Sequence, residues 1–594
     1  MIRIASFDVF DTLLVRNVTR PEDVFLDIGS RLAHEGSELS PESWQTIRIA
    51  AEEQARQQSR TREVQLKEIY QHIKENLSWT SQQCTHAMDL EIKAERDAIH
   101  PVPGGLHAVS AARQQGLAIA FLTDMYLPQE VIQSILVEFG FFQEGDLLLV
   151  SSAQRCSKAD GKLFHLLAAK QDVRLDQILH HGDNRHSDIA MPRSLGVRVQ
   201  PMTAACPNRY ETQLQGAPLS GAFFSRLAGA ARMARLLEPG HLNPQEACIH
   251  DVSSGVAGPI LLGYLYWVLT EAERLGIQRL YFISREGQIL RNIAAELVKA
   301  LSLSVELRYL YGSRQAWFVR EPNSQRHGMP PSVDGNTSSR TWELARDYLL
   351  QESLCDGTPW AMVDLGWKGR LQYALGNLLS ENSQEPITGF YFALDKNHLR
   401  RDHDRLFTYH TGRDPHLLVS WLTYAALLEL FTAADHGQVI GYQAKEHGIQ
   451  PQLNASRNES ALAWGLGIQQ KAIMHFVRDM ISDSRPEDWS IADWHEATAR
   501  SAAAFFQHPT PQEAAVYGKV EVFSGMIESR AEEMAVTLSS GRILARLLSG
   551  EQLNGTHWLE ASIVRTIRLR APWLQMLRFR RQLGFWRWKR AGEA

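Results

Sequence analysis

The chain has 594 residues, more than one hydrophobic core usually supports, so two to four domains are expected. With 44% hydrophobic and 22% charged residues it has a globular composition, and a net charge of −5 speaks against wholesale nucleic-acid binding. Cys84, Cys156, Cys206, Cys248 and Cys355 have no paired spacing, which argues against a disulfide framework or a zinc site and fits a reducing compartment.

A strand begins at Ile2 with no basic or apolar leader before it, so no secretory signal is expected. From residue 1 to about 205, apolar strand-like runs alternate with helical stretches: "IRIASFDVF", "GLAIAFLT", "DLLLVSS", "QILHHGD" and "GVRVQPM". This order predicts a parallel α/β sheet. Residues 20–98 interrupt it with a polar, helix-forming insertion that closes at "HPVPGG". Ligands of open α/β sheets sit outside the carboxyl ends of the strands. Asp8 follows the first run, with Thr12 four residues on, and Thr123 ends the second. Lys158 opens "KADGKLF" after the third, and Asp183 and Asp188 lie in "HGDNRHSD" after the fourth.

In order and spacing this set resembles the haloacid dehalogenase superfamily. The resemblance implies a Rossmann-like fold with a helical cap of the C1 type over about 16–100. It makes Asp8 the nucleophile and Thr12 its first-motif partner, with Thr123 and Lys158 as phosphate-binding groups. Asp8, Asp183 and Asp188 become Mg²⁺ ligands. The residue types suit that chemistry: a carboxylate can attack phosphorus, and a lysine with a carboxylate-held Mg²⁺ offsets the charge of the dianion. One position departs. In "FDVFDTLL", Phe10 stands where the family's phosphatases carry a general acid, a loss worth about 10²–10⁴ in rate. Three readings follow: Asp11 or a cap acid replaces it, the site is a dehalogenase, or it binds phosphate without turnover. The acidic "GDNRHSD" motif favours phosphate chemistry.

A second alternating block spans roughly 220–450, with strands at "RLYFIS", "VELRYLY", "WAMVDLG" and "ITGFYFAL" and a mobile loop expected at 321–339. The apolar run Val256–Thr270 contains Pro259 and falls short of the about 20 residues that span a bilayer, so it reads as a buried helix. "ISREG" places Ser284, Arg285, Glu286 and Gly287 between a strand and a helix. Tyr311, Ser313 and Arg314 follow the next strand, and "VDLGWKG" supplies Asp364, Gly366, Lys368 and Gly369. A strand, a Gly-containing loop and a helix N-terminus can cradle phosphate, and the arginines can grip it bidentately. The block resembles a type I phosphoribosyltransferase, which implies Arg285 on pyrophosphate and Asp364 on the ribose of phosphoribosyl pyrophosphate. Leu365 stands where that family has a second acid, and its Thr/Ser-Gly-x-Thr turn is missing. Glu429, Asp435 and His436 form a further candidate acceptor or base site, which a capped helix end explains equally well.

Together the two blocks resemble bacterial surface-polysaccharide (O-antigen and capsule) proteins that join a ribofuranosyltransferase to a phosphatase. The implied function is transfer of a 5-phosphoribosyl unit to a glycan acceptor, followed by removal of the 5-phosphate. The alternatives are a sugar-phosphate phosphatase whose second domain only selects substrate, and a membrane-associated scaffold with a degenerate hydrolase domain. From about 455 onward the pattern is helical. Residues 565–590 carry nine Arg or Lys and no acid, interleaved with Trp573, Phe579, Phe585, Trp586 and Trp588. Such a tail predicts peripheral contact with the cytoplasmic membrane, where a lipid-linked glycan would lie, rather than nucleic-acid binding. The expected division is 1–205, 206–455 and a helical 456–594, in a cytoplasmic protein.

Overall fold

The computed structural model describes residues 1–216, 221–237, 242–318, 335–380, 382–383, 385–482, 484–523, 531–549 and 556–590. Chain contacts divide it into two units, Met1–Leu242 and Asn243–Ala594.

The first unit is built on five parallel strands: β1 (Ile4–Asp8), β2 (Ala118–Thr123), β3 (Leu147–Val150), β4 (Ile178–Gly182) and β5 (Arg198–Pro201). Their order is β3-β2-β1-β4-β5. β1 is buried along its whole length, as a central parallel strand covered on both faces requires. Its crossover to β2 carries the insertion as four helices: α1 (Val24–His34), α2 (Pro41–Gln58), α3 (Leu66–Leu77) and α4 (Ser81–Ala98). A short antiparallel ribbon, Leu14–Arg16 against Ile99–Pro101, ties the entry and exit of this cap together. The helix starts are written locally. Ser40 accepts the Ser43 N–H ahead of Pro41, and Thr80 and Gln83 form a capping box. Inside the cap, buried Arg48 forks onto buried Glu91 at 2.8 Å, and the Tyr70 hydroxyl donates to the same carboxylate. Such a pair adds little net stability but fixes which helix faces meet.

The sequence places the first boundary near residue 205, whereas the contacts place it at Leu242/Asn243. The cause is α5 (Gly221–Leu236), which packs on the base of the cap. Its buried Arg232 donates to the carbonyls of Arg16 and Val18, each at 2.9 Å, and Ser225 receives the Thr19 N–H.

The second unit has its own parallel sheet: β6 (Arg279–Ile283), β7 (Glu306–Leu310), β8 (Trp360–Asp364), β9 (Thr388–Ala393) and β10 (Arg405–His410), ordered β10-β9-β8-β6-β7. Helix α6 (Gly258–Arg274) runs through its core. The segment Pro244–Arg274 is long and apolar enough to cross a membrane, yet its apolar window is entirely buried in the protein. α7 (Gly287–Ala300) follows β6 and α8 (Arg370–Leu379) follows β8. β10 was not legible as a strand, because it lies at the sheet edge and its first half is only partly covered. An antiparallel hairpin, Val439–Lys445 with Gly448–Leu453, lies beyond it. The C-terminal region departs from an all-helical reading by one short strand pair, Glu521–Phe523 with Ala531–Glu533. It closes with α9 (Leu559–Thr566) and α10 (Ala571–Arg590). Of the loop expected at 321–339, residues 321–334 lie outside the described residues and the remainder opens the helix Gly335–Gln351.

Candidate active site

Adjacent strands β3, β2, β1 and β4 deliver the predicted residues of the first unit to one point at their carboxyl ends. The Lys158 ammonium donates to Asp8 and, at 2.7 Å, to Asp188 Oδ1. Thr12 Oγ1 lies 3.2 Å from Asp8 Oδ2 and 3.1 Å from Asp183 Oδ1, bridging the two carboxylates. Behind them, buried His180 places Nε2 3.1 Å from Asp188 Oδ1, while its Nδ1 lies 2.9 Å from the Ser6 hydroxyl. The backbone N–H of Asn184 donates to the other Asp188 oxygen.

Burial works against the Lys158 charge, but Asp8 and Asp188 outweigh it and hold its pKa above the ordinary lysine value. Burial likewise opposes ionisation of Asp188, yet the His180 hydrogen bond and Lys158 bring its pKa to about 2. His180 itself is pushed down to about 4 by burial, so it stands neutral and donates Nε2–H to Asp188. Asp183 goes the other way, to about 6, through burial and the nearby charges of Asp11 and Asp188. The ligand oxygens of Asp8, Asp183 and Asp188 lie within 4.8 Å of one another. Three carboxylates face one ammonium, and every donor is a hard oxygen, so the residues present fit a small divalent cation such as Mg²⁺.

A cavity of about 440 Å³ opens over this cluster. Asp8, Thr123, Lys158 and Asp183 line its floor, and Glu22, Phe25, Glu53 and Arg56 of the cap line its roof. Phe10 also lines it and packs under the Arg16 guanidinium, 4.5 Å from the ring centroid, which in turn pairs with buried Glu95. Asp11 faces Arg232 of α5 at 3.4 Å and so enters the site as an acceptor. Two contributors lay outside the sequence reading. Asp124, next to Thr123, accepts the Lys158 backbone N–H at 2.9 Å and fixes that loop; its place beside the second motif was the available signal. Arg232 had none, being 221 residues from Asp11 in sequence.

In the second unit, a cavity of about 330 Å³ lies at the carboxyl ends of β6, β7 and β8. It brings together Ser284, Arg285, Glu286, Arg314, Asp364, Gly366 and Lys368, with Trp367 and Glu429 beside them. Burial pushes the Asp364 carboxyl up to about 8, helped by the Glu286 charge. Glu429 is solvent-exposed and accepts the Trp367 indole N–H at 2.9 Å. Arg285, Glu286 and Glu429 are shared with a larger adjoining chamber of about 660 Å³.

Gly287 and Gly369 do not line either cavity. A Cβ on Gly287 would meet the Phe282 carbonyl carbon at 2.6 Å, and Gly369 turns into α8 with φ +64°. His436 also stays off both walls, held between the Tyr309 hydroxyl at 2.8 Å and the Gly437 carbonyl. Asp435 accepts the Gln288 amide, and Ser313 bonds the Val439 carbonyl and caps a helical turn.

Residues 2–196 match the family described as haloacid dehalogenase-like hydrolase. The first unit carries a haloacid dehalogenase-like hydrolase domain. Solved structures similar to it include a predicted phosphoglycolate phosphatase from Haemophilus somnus 129PT, at 18% identity over 33% of this chain and 84% of that one, TM-score 0.24. A 2-haloacid dehalogenase from Pseudomonas syringae pv. tomato DC3000 is 15% identical over 34% of this chain and 85% of its own, TM-score 0.27. The L-2-haloacid dehalogenase from Xanthobacter autotrophicus is 14% identical over 38% and 88%, TM-score 0.28. No curated protein matches the chain. The hydrolase domain thus rests on the family match and on its own carboxylate–lysine cluster.

Proposed function

We propose that the hydrolase domain is a phosphatase working through an aspartyl phosphate, and that the second unit transfers a 5-phosphoribosyl group whose phosphate the first removes. The observation that carries the phosphatase reading is the cluster of Asp8, Asp183 and Asp188 around Lys158, a carboxylate set that dehalogenation does not need. In this reading an Asp8 oxygen attacks phosphorus, the ester P–O bond breaks, and the leaving oxygen takes a proton. Lys158 and Thr123 hold phosphoryl oxygens, and water then cleaves the acyl phosphate and frees Asp8. A Mg²⁺ held by Asp8, Asp183 and Asp188 supplies further charge neutralisation when bound.

Phe10 cannot give the proton, and Asp11 faces the Arg232 guanidinium at 3.4 Å, so this reading gives the role of donor to a cap acid rather than to Asp11. Glu22 lines the cavity, and its carboxylate has no hydrogen-bond partner among the described residues. Glu22→Gln is expected to slow alkyl phosphates about 10²-fold while sparing p-nitrophenyl phosphate, whose leaving group needs no proton. Equal slowing of both esters would remove Glu22 from that role.

For the second unit, Arg285, Arg314 and Lys368 suit pyrophosphate and Asp364 the ribose hydroxyls, with the larger chamber left for a glycan acceptor across Glu429. The test is incubation with phosphoribosyl pyrophosphate, Mg²⁺ and candidate glycans, read by mass. A product heavier by a pentose supports the reading. If neither pentose nor pentose phosphate is ever transferred, the second unit only selects substrate for the first.

A further inference from the structure

We propose that the outward face of α10 is a docking surface for an anionic lipid bilayer. The helix has two sides with different fates. Leu577, Arg581, Gly584 and Trp588 recur at spacings of four, three and four, which is one stripe of a helix. That stripe faces the second unit. Leu577 is buried, Arg581 pairs with buried Glu560 and donates to the Tyr424 hydroxyl, and Gly584 and Trp588 approach Arg413 and Gly412. The tail is thus anchored to its own protein, partly through the acidic partner its charge required.

Phe579, Leu583, Trp586 and Arg590 repeat the same spacing two residues out of step, which at about 100° per residue puts them on the opposite side. There, Phe579 is 61% exposed, Leu583 45% and Trp586 61%. Exposed Arg578, Arg587 and Lys589 flank this apolar stripe, and the whole stretch 565–590 has no acid to balance its nine cations. Large apolar side chains spaced along one exposed face are uncommon on a soluble surface. Aromatics bordered by cations match the layered chemistry of an anionic membrane surface, with rings at the acyl boundary and cations among the headgroups. The helix carries too many charges to span the bilayer, so it lies in the interface plane. A protein partner would need a matching acidic groove; the lipid surface needs only its charge and depth. This surface is independent of the chemistry proposed for either cavity.

The test is sedimentation of the full-length protein with vesicles of phosphatidylcholine alone or with about 30 mol% phosphatidylglycerol. Binding at least about tenfold stronger to the anionic vesicles, lost at high salt, is expected, with a blue shift of tryptophan fluorescence. Phe579→Ser combined with Trp586→Ser should weaken it about tenfold or more without changing thermal stability, because neither side chain is buried. Arg578→Gln with Arg587→Gln should abolish the preference for the anionic lipid. No binding to anionic vesicles, binding unchanged in both variants, or self-association that these variants abolish in the absence of lipid would each overturn the proposal.

Discussion

Asp8→Asn is expected to lower hydrolysis of phosphate esters by about 10⁴-fold or more, because an amide oxygen cannot form the acyl phosphate of the proposed mechanism. The change is nearly isosteric. Lys158 keeps its bond to Asp188, so the site should stay folded and the loss should fall on kcat rather than on substrate affinity. Steady-state turnover of p-nitrophenyl phosphate with Mg²⁺ measures it. Activity above a tenth of wild type would take the nucleophile's role away from Asp8. In the two-step reading the same variant should also accumulate the phosphoribosylated glycan, since transfer belongs to the other unit. Loss of transfer together with hydrolysis would contradict that division.

Lys158→Ala is the second large effect, and it acts on rate and stability together. The ammonium is the only cation bonded to Asp8 and Asp188 among the described residues, and all three groups are buried. In the proposed mechanism, removing it takes away the cation that holds a phosphoryl oxygen, expected to cost about 10²–10³-fold in kcat/KM. It also leaves two carboxylates facing each other, a defect of about 3–5 kcal/mol when a buried charge loses its partner. The Asp188 pKa, brought to about 2 in part by Lys158, must then rise. The sign follows. A depressed carboxylate stabilises the fold above its unfolded pKa and loses that contribution as pH falls through the folded value. The variant lacks part of this gain at neutral pH, so its deficit should shrink as the medium is acidified. Mg²⁺ should restore part of its melting temperature, because the cation takes over the neutralising charge, and chelator should remove that rescue. A variant as stable as wild type in chelator would show that Lys158 does not hold the cluster together.

The three strands β1, β2 and β3 were legible as short apolar runs buried almost throughout, β4 and the mostly exposed edge strand β5 from their place in the alternation with helices, and the cap as a long polar helical stretch between β1 and β2. The same pattern revealed four of the five strands of the second sheet. β10 escaped because an edge strand need not be apolar throughout: Arg405 is exposed and the strand's middle is half-covered. The side chains that the first unit gathers at one point were legible where they follow directly on a strand. Asp11 was visible as an unusual acid, but its partner Arg232 comes from a helix far along the chain, and only packing joins them. His436 lies off both cavities of the second unit. Its place near Glu429 and Asp435 in the sequence suggested an acceptor or base site, and in the fold its ring hydrogen-bonds the Tyr309 hydroxyl and the Gly437 carbonyl, contacts that only packing brings about. The basic aromatic tail read as one surface, and the fold divides it into an anchored face and an open one.

The nucleophile can be identified by chemical trapping. Wild-type protein turning over a phosphate ester is quenched with borohydride, which reduces an aspartyl phosphate to homoserine, and its peptides are weighed. Conversion at Asp8, absent without substrate and absent in Asp8→Asn, is the predicted result. Continued hydrolysis with no modified Asp8, or a modification at Asp11, Asp183 or Asp188 instead, would contradict it.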